Sequence, residues 1–287
     1  MQTATRSAAT RLDPAAIADL AVAAIRAEAD LTPKPGLVDQ RGSGAHTDMD
    51  LAMLHASAES LRPAFAECAS AAIQSVPGPE LRARLGEVGR AGERAMLEAT
   101  GGVNTHRGAL WALGLLSAGA ARGDGVVGAV DVAARLAMIP DRYATGPTSS
   151  HGANARLRYG VSGAAGEAQA GFPHVRRHAL PALRAARCSG ADEGSARLEA
   201  LLALMATLDD TCVLHRGGAE GLLALQSGAR AVLDAGGLRT PEGRRLFTAL
   251  DDMCLTRRLS PGGSGDLLSA TLFLDALDEG EALPCRL

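Results

Sequence analysis

The chain has 287 residues, a formal net charge of −3 and 47% apolar residues, enough for a sizeable core but without the basic excess that nucleic acid or an anionic membrane surface selects for. Aromatic residues make up 2% and isoleucine occurs four times, so strands have little to be built from. Cys68, Cys188, Cys212, Cys254 and Cys285 are widely spaced with no C-x-x-C pair, which argues against a disulfide framework or a zinc site and suits reduced thiols in the cytoplasm.

The predicted class is all-α, a single compact multi-helix domain over residues 12–287 with glycine-rich functional loops at the helix ends, preceded by a frayed tail over 1–11. Met1 to Thr10 has no apolar h-region, and no stretch approaches a membrane-spanning length. Asp13 and Pro14 signal the first helix, which runs to about Asp30. The second is expected from Thr47 or Asp48 through Phe65, with a kink or break at Pro63. Further helices are expected from Glu80 to Ala99, from Asn104-Thr105 to Arg122, from Val126 to Ile139, from Pro173 to Arg187 and from Ala196 to Leu208. The last three run from Ala219 to Ala235, Pro241 to Leu259 and Ser264 to Leu277.

The reactive side chains gather at the junctions between these helices, where scaffolds tend to carry function. Lys34 is the only lysine among 29 basic residues and lies between Pro33 and Pro35, so a compact ammonium is carried on a stiff loop. Downstream come Asp39 and then Arg41-Gly42-Ser43-Gly44-Ala45-His46, with Asp48 and Asp50 at a helix start. Asp48 and Asp50 could cap that helix, or join Glu28 and Asp39 as hard oxygen ligands for Mg²⁺.

Gly101-Gly102-Val103-Asn104-Thr105-His106-Arg107-Gly108 is a glycine-rich approach to a helix, an anion site by its amides and Arg107, although capping by Asn104 explains it equally. From Thr145-Gly146-Pro147 to Gly171-Phe172-Pro173 the chain lacks apolar periodicity and reads as a mobile lid. Asp210, His215 and Arg216 fall within about two helical turns. The paired aspartates Asp209-Asp210 and Asp251-Asp252 invite comparison with prenyl-chain synthases, but Val213 and Leu255 stand where that metal motif needs a third aspartate. Finally, Ser260-Pro261-Gly262-Gly263-Ser264-Gly265-Asp266 forms a turn whose amides can face phosphate, with Ser264 capping and Asp266 able to reach a metal.

In this order, Thr32-Pro33-Lys34-Pro35-Gly36, Gly44-Ala45-His46, Gly102-Val103-Asn104-Thr105-His106, Gly171-Phe172-Pro173, His215-Arg216-Gly217-Gly218 and Ser260-Pro261-Gly262-Gly263 resemble the triphosphoribosyl-dephospho-CoA synthase family. The resemblance covers about residues 28 to 275, and Arg41 to His46 with Asp210-Thr211-Cys212 is more similar to the malonate decarboxylase branch than to the citrate lyase branch. One departure is the lack of an arginine at or beside Ala165, for which Arg156 or Arg158 would have to compensate.

The resemblance implies transfer of the 5-triphosphoribosyl group of ATP to the 2′-hydroxyl of 3′-dephospho-CoA with release of adenine, feeding an acyl carrier protein. Such a reaction passes through an oxocarbenium-like transition state and needs a carboxylate, a base and a proton donor for the leaving base. The expected carboxylates are Asp39, Asp48, Asp50, Glu167 and Asp210, with Asp50 or Asp210 as base and His46 or His106 assisting adenine. Lys34, Asn104, Arg107, His215, Arg216, Ser260, Gly262, Gly263 and Ser264 are expected to hold the nucleotide. Asp39, Asp48, Asp50 and Asp266 are expected to hold Mg²⁺, and nothing in the sequence opposes a homodimer. The competing readings are a Mg²⁺-dependent helical N-glycosidase or ADP-ribosyl hydrolase, and a non-enzymatic adaptor for the acyl carrier protein.

Overall fold

The computed structural model describes residues 12–144 and 151–279. Among these there is no β-strand, and the sole bridge pairs Asp39 with Gly42 inside a loop. The all-α expectation holds, as one compact domain. The expected tail and the Thr145-Gly146-Pro147 start of the expected lid lie outside the described residues. No described helix is long and apolar enough to cross a membrane.

Local signals set most helix starts. Helix α1, Pro14–Ala29, is capped by Asp13, whose Oδ1 accepts Ala16 N–H at 2.7 Å. Its buried side, Ile17, Val22 and Ile25 among others, packs on α3, Arg62–Gln74, and on α13, Gly262–Glu279. Helix α2, Leu51–Ser60, begins later than expected, because Asp50 takes the cap and accepts Met53 N–H at 2.8 Å. The expected break near Pro63 falls at Leu61, between α2 and α3.

The central element is α5, Arg107–Arg122, nearly all of whose residues from Ala109 on are buried against α3, α4 (Pro79–Ala99), α6 (Gly125–Met138) and α13. It comes so close to α6 that a Cβ on Gly119 would lie 2.1 Å from the Ala129 carbonyl oxygen. An alanine-rich core permits such approaches, and the glycine is required by this one.

The stretch expected to be a lid instead forms α7, His151–Tyr159, and α8, Gly163–Gln169, which pack on neighbouring helices rather than forming a long loop. Polar sequence and frequent glycine had hidden their periodicity. A π-helical turn, Val175–Ala179, then leads into α9, Leu180–Cys188, followed by α10, Glu193–Met205. Helix α11, Thr211–Asp234, starts eight residues before the expected Ala219 and bends at Gly218, where φ is 63° and ψ is −164°. A 3₁₀ turn, Gly237–Arg239, precedes α12, Pro241–Thr256, whose cap is Thr240.

Candidate active site

Three helix starts meet in space, those of α5, α11 and α13, and their N-terminal amides and dipoles make this end of the bundle favourable to anions. Asp210 caps α11, accepting Cys212 N–H at 2.9 Å and Val213 N–H at 3.4 Å. Its other oxygen accepts the backbone N–H of Ser264 at 2.8 Å and the Ser264 hydroxyl at 3.1 Å, tying α11 to the first turn of α13. No side chain fits at Gly263 without crowding this carboxylate, since a Cβ there would stand 3.1 Å from Asp210 Oδ1. Burial raises the Asp210 pKa although four donors hold its anion.

Asp266 lies two residues further along α13 and is partly open to the surface. It is pressed against α5, and Ala109 N–H donates to it. Loss of hydration, followed by the charges of Glu28 and Asp210, pushes its pKa well above the ordinary carboxylate range. Glu28 is close by, because a Cβ on Gly265 would sit 3.1 Å from Glu28 Oε1.

Lys34 answers this accumulation of negative charge. Its ammonium is 1% exposed and donates to Glu28 Oε1 and to the Glu28 carbonyl, both at 2.7 Å. Its own N–H donates to Asp39 Oδ2 at 2.8 Å, and Asp39 also accepts from Arg41. Arg41 reaches on to Asp251 of α12 at 2.5 Å, and Asp251 accepts Gly36 N–H at 3.2 Å. The loop is thereby docked on the approach to α13, with a Cβ on Gly36 only 2.2 Å from the Leu259 carbonyl oxygen. Asp39 is thus a buried anchor of this loop.

A second cluster lies at its rim. His46 Nε2 is 2.8 Å from Ser260 Oγ, while Arg216 donates to the Ala45 carbonyl at 3.3 Å and to His46 Nδ1 at 3.0 Å. Burial and the neighbouring guanidinium hold the His46 pKa below the usual imidazole range. Asp48 is exposed and stands 3.3 Å from His46 Nδ1. His215 and Arg216 ride on the exposed first turns of α11 ahead of the Gly218 bend, beside which Tyr159 lies, its hydroxyl 3.5 Å from a Cβ built on that glycine.

His106 sits at the base of the site. It is buried, with Nδ1 2.7 Å from Ser57 Oγ, and burial with the nearby Lys34 charge lowers its pKa to about 3. It is therefore a neutral hydrogen-bonding ring at ordinary pH. Asn104 accepts Arg107 N–H at 3.3 Å, and Arg107 pairs with Glu93. Glu167 accepts His174 N–H at 2.9 Å and lies 2.6 Å from His174 Nδ1, so it caps the turn entering the π-helical segment. Beside Ala165, the Ala164 carbonyl accepts Trp111 Nε1–H at 3.1 Å, and Arg156 is exposed next to Gly163.

The fold therefore brings together Lys34, Glu28, Asp210, Ser264, Asp266 and His106, with His46, Ser260 and Arg216 at the rim, whereas Asp50 and Glu167 serve helix ends. Sequence reasoning singled out Asp251 only as half of an aspartate pair and missed Ser57, since nothing local marks either as a partner of a loop elsewhere in the chain. Among the described residues no three His, Cys, Asp or Glu side chains converge in metal-binding geometry.

The family model for ATP:dephospho-CoA triphosphoribosyl transferase matches residues 14–285. The chain is 56% identical over 287 residues to a Pseudomonas fluorescens protein named "Probable 2-(5''-triphosphoribosyl)-3'-dephosphocoenzyme-A synthase", covering 99% of this chain and 97% of the relative. A protein of the same name from Stutzerimonas stutzeri is 56% identical over 281 residues, covering 97% and 95%. Another from Azotobacter vinelandii is 55% identical over 266 residues, covering 91% of each. No solved structure matches the chain.

Proposed function

Because the chain belongs to the ATP:dephospho-CoA triphosphoribosyl transferase family, with ATP and dephospho-CoA as its substrates, we propose that transfer takes place where α5, α11 and α13 begin. The reaction breaks the N-glycosidic bond of ATP, joins the ribose carbon to the 2′-hydroxyl of 3′-dephospho-CoA, and releases adenine with the triphosphate intact. The observation that carries this placement is the meeting of Asp266 with Asp210, Glu28 and Lys34 at three helix N-termini.

Asp266 is the carboxylate best suited to the attacking hydroxyl. It is partly open, and its raised pKa makes it a stronger base than an ordinary aspartate. Asp210 is fully engaged by backbone and Ser264 donors, which suits it to fixing the α11–α13 junction. Lys34 offsets Glu28 from below. Arg216, held by Ala45 and His46, and the amide of Gly262 at the start of α13 suit the triphosphate. Neutral His46 positions Arg216 and Ser260.

Asp266 also fits Mg²⁺, which usually takes one or two carboxylates together with substrate phosphates, and which would offset triphosphate charge when bound. Three neighbouring carboxylates with one ammonium leave an excess of negative charge that a cation relieves. Asp39, Asp48 and Asp50 fit less well, being respectively an anchor for Lys34 and Arg41, a rim partner of His46, and a helix cap.

Incubation with ATP, Mg²⁺ and dephospho-CoA, followed by mass spectrometry, is expected to yield triphosphoribosyl-dephospho-CoA and adenine in equal amounts. Free ribose triphosphate would instead favour hydrolysis. The pathway proposal follows the Arg41 to His46 and Cys212 pattern: the product is expected to load the acyl carrier protein of a malonate decarboxylase in preference to that of a citrate lyase.

A further inference from the structure

Beside the site, α4 and α5 enclose a cavity of about 190 Å³ in which three arginines are gathered. Arg82 is 7% exposed, and its guanidinium stands 5.3 Å from the centroid of the Trp111 ring. Its Nε is buried without a hydrogen-bond partner. The one carboxylate paired with it among the described residues is Asp141, at 3.8 Å, beyond hydrogen-bond reach. That same Asp141 oxygen already accepts from Arg90 Nη1 at 2.6 Å. Arg107 repeats the pattern, with Nη2 on Glu93 and Nε buried without a partner.

Arg82 and Arg107 both line this cavity, and each also has a buried Nε–H without an acceptor, which is uncommon in a folded protein. Asp141 and Glu93 are matched by Arg90 and Arg107, so Arg82 is the charge in excess. Glycines keep the space open: a Cβ on Gly89 would meet nothing within 4 Å. Trp111 is fixed at one side by its bond to the Ala164 carbonyl. The cavity adjoins the site, for Arg107 immediately precedes Gly108, against which Asp266 lies.

We propose that this cavity is a second oxyanion subsite, in which Arg82 and Arg107 hold a phosphate or diphosphate group of a substrate over the Trp111 side of α5. Guanidinium forks match phosphate oxygens in pairs, and such a group is common to the diphosphate of dephospho-CoA and the triphosphate of ATP. The subsite itself stands on geometry, and only the naming of these two sources rests on the transferase reading.

The test is a calorimetric titration of the whole protein with inorganic pyrophosphate, comparing wild type with Arg82→Gln and Gly89→Asp. The second variant places a carboxylate in open space and leaves the arginines intact. Pyrophosphate affinity is expected to fall at least tenfold in both, with a rise of similar size in one substrate's KM. A rise confined to dephospho-CoA assigns the subsite to the acceptor, and one confined to ATP assigns it to the donor. Unchanged pyrophosphate affinity in the soluble, helical Gly89→Asp protein overturns the subsite, and lost affinity with both KM values unchanged overturns its role in substrate binding. If the wild type makes no transfer product, the titration still decides the subsite separately from the function.

Discussion

Gly108 lies directly against Asp266, so that a Cβ on the glycine would stand 2.0 Å from Asp266 Oδ2. The first turn of α5 thus sets where the carboxylate of α13 points. Gly108→Ala is expected to preserve the fold, because the obstructed atom is the end of a side chain, and to lower kcat at least tenfold by displacing the proposed base, on the order of general-base effects. Circular dichroism and steady-state kinetics on the same preparation check both halves.

Asp266→Asn separates function from stability. The folded pKa of Asp266 is raised, so the folded state binds its proton more readily than the unfolded chain. Wild-type stability therefore falls as pH rises from the unfolded aspartate value toward the folded one, and stays lower above it. The variant is expected to unfold at a higher temperature than wild type at neutral pH, to lose that advantage below about pH 4, where aspartate is protonated in both states, and to be inactive. Thermal melts across pH that never favour the variant would count against the crowded carboxylates.

Burial of Lys34 revises what its removal should do. With Nζ at 2.7 Å from Glu28 and both side chains almost wholly enclosed, Lys34→Met strands a buried carboxylate, a change expected to cost about 3–5 kcal/mol. Lys34→Met with Glu28→Gln should recover much of that stability in urea denaturation without recovering activity. Equal destabilisation by the single and double variants would show that the two groups do not act as a pair. Lys34→Arg is expected to fail for want of space, as overpacking of a fully buried position costs about 1–3 kcal/mol.

The helix scaffold was legible because its signals are local. Asp13 and Pro14 cap α1 within three residues, and Pro79 and Pro241 each open a helix. Asp50 offered both a cap and a ligand in sequence, and the hydrogen bond to Met53 N–H is the local one. The site was legible as a set of loops, but its pairings were not. Arg41 and Asp251 are 210 positions apart and Ser57 and His106 are 49 apart, and neither pair shares a periodicity. Lys34 announced itself by rarity, yet nothing in the sequence told whether its ammonium faced a substrate or Glu28. Helices α7 and α8 were invisible because glycine and polar residues fill positions where an apolar stripe would normally report a helix.

His46 provides a pH test. Its lowered pKa keeps the ring neutral at neutral pH, where it can accept from Arg216 at Nδ1. Protonation would place two cations 3.0 Å apart and release Arg216 from the rim. Acidification below the ordinary imidazole range should therefore raise KM for ATP more than it lowers kcat. His46→Asn, which cannot titrate, is expected to flatten that acid limb while Arg216→Ala raises KM for ATP at every pH. An acid limb unchanged in His46→Asn assigns the titration to another group.

Gly218 is where the direction of α11 changes, and its φ of 63° with ψ of −164° belongs to a region that side chains hardly enter. The bend carries His215 and Arg216 on the shorter arm, over the rim made by Ala45, His46 and Ser260. Alanine at this position would favour a straight helix and draw Arg216 away from Ala45, at a local expense of about 1–3 kcal/mol if the bend persists. Gly218→Ala is accordingly expected to weaken ATP affinity at least tenfold while the affinity for dephospho-CoA stays near wild type, measured by titration of each substrate alone. Equal loss for both substrates would place the bend in the general stability of α11, and no loss for either would detach Arg216 from nucleotide binding.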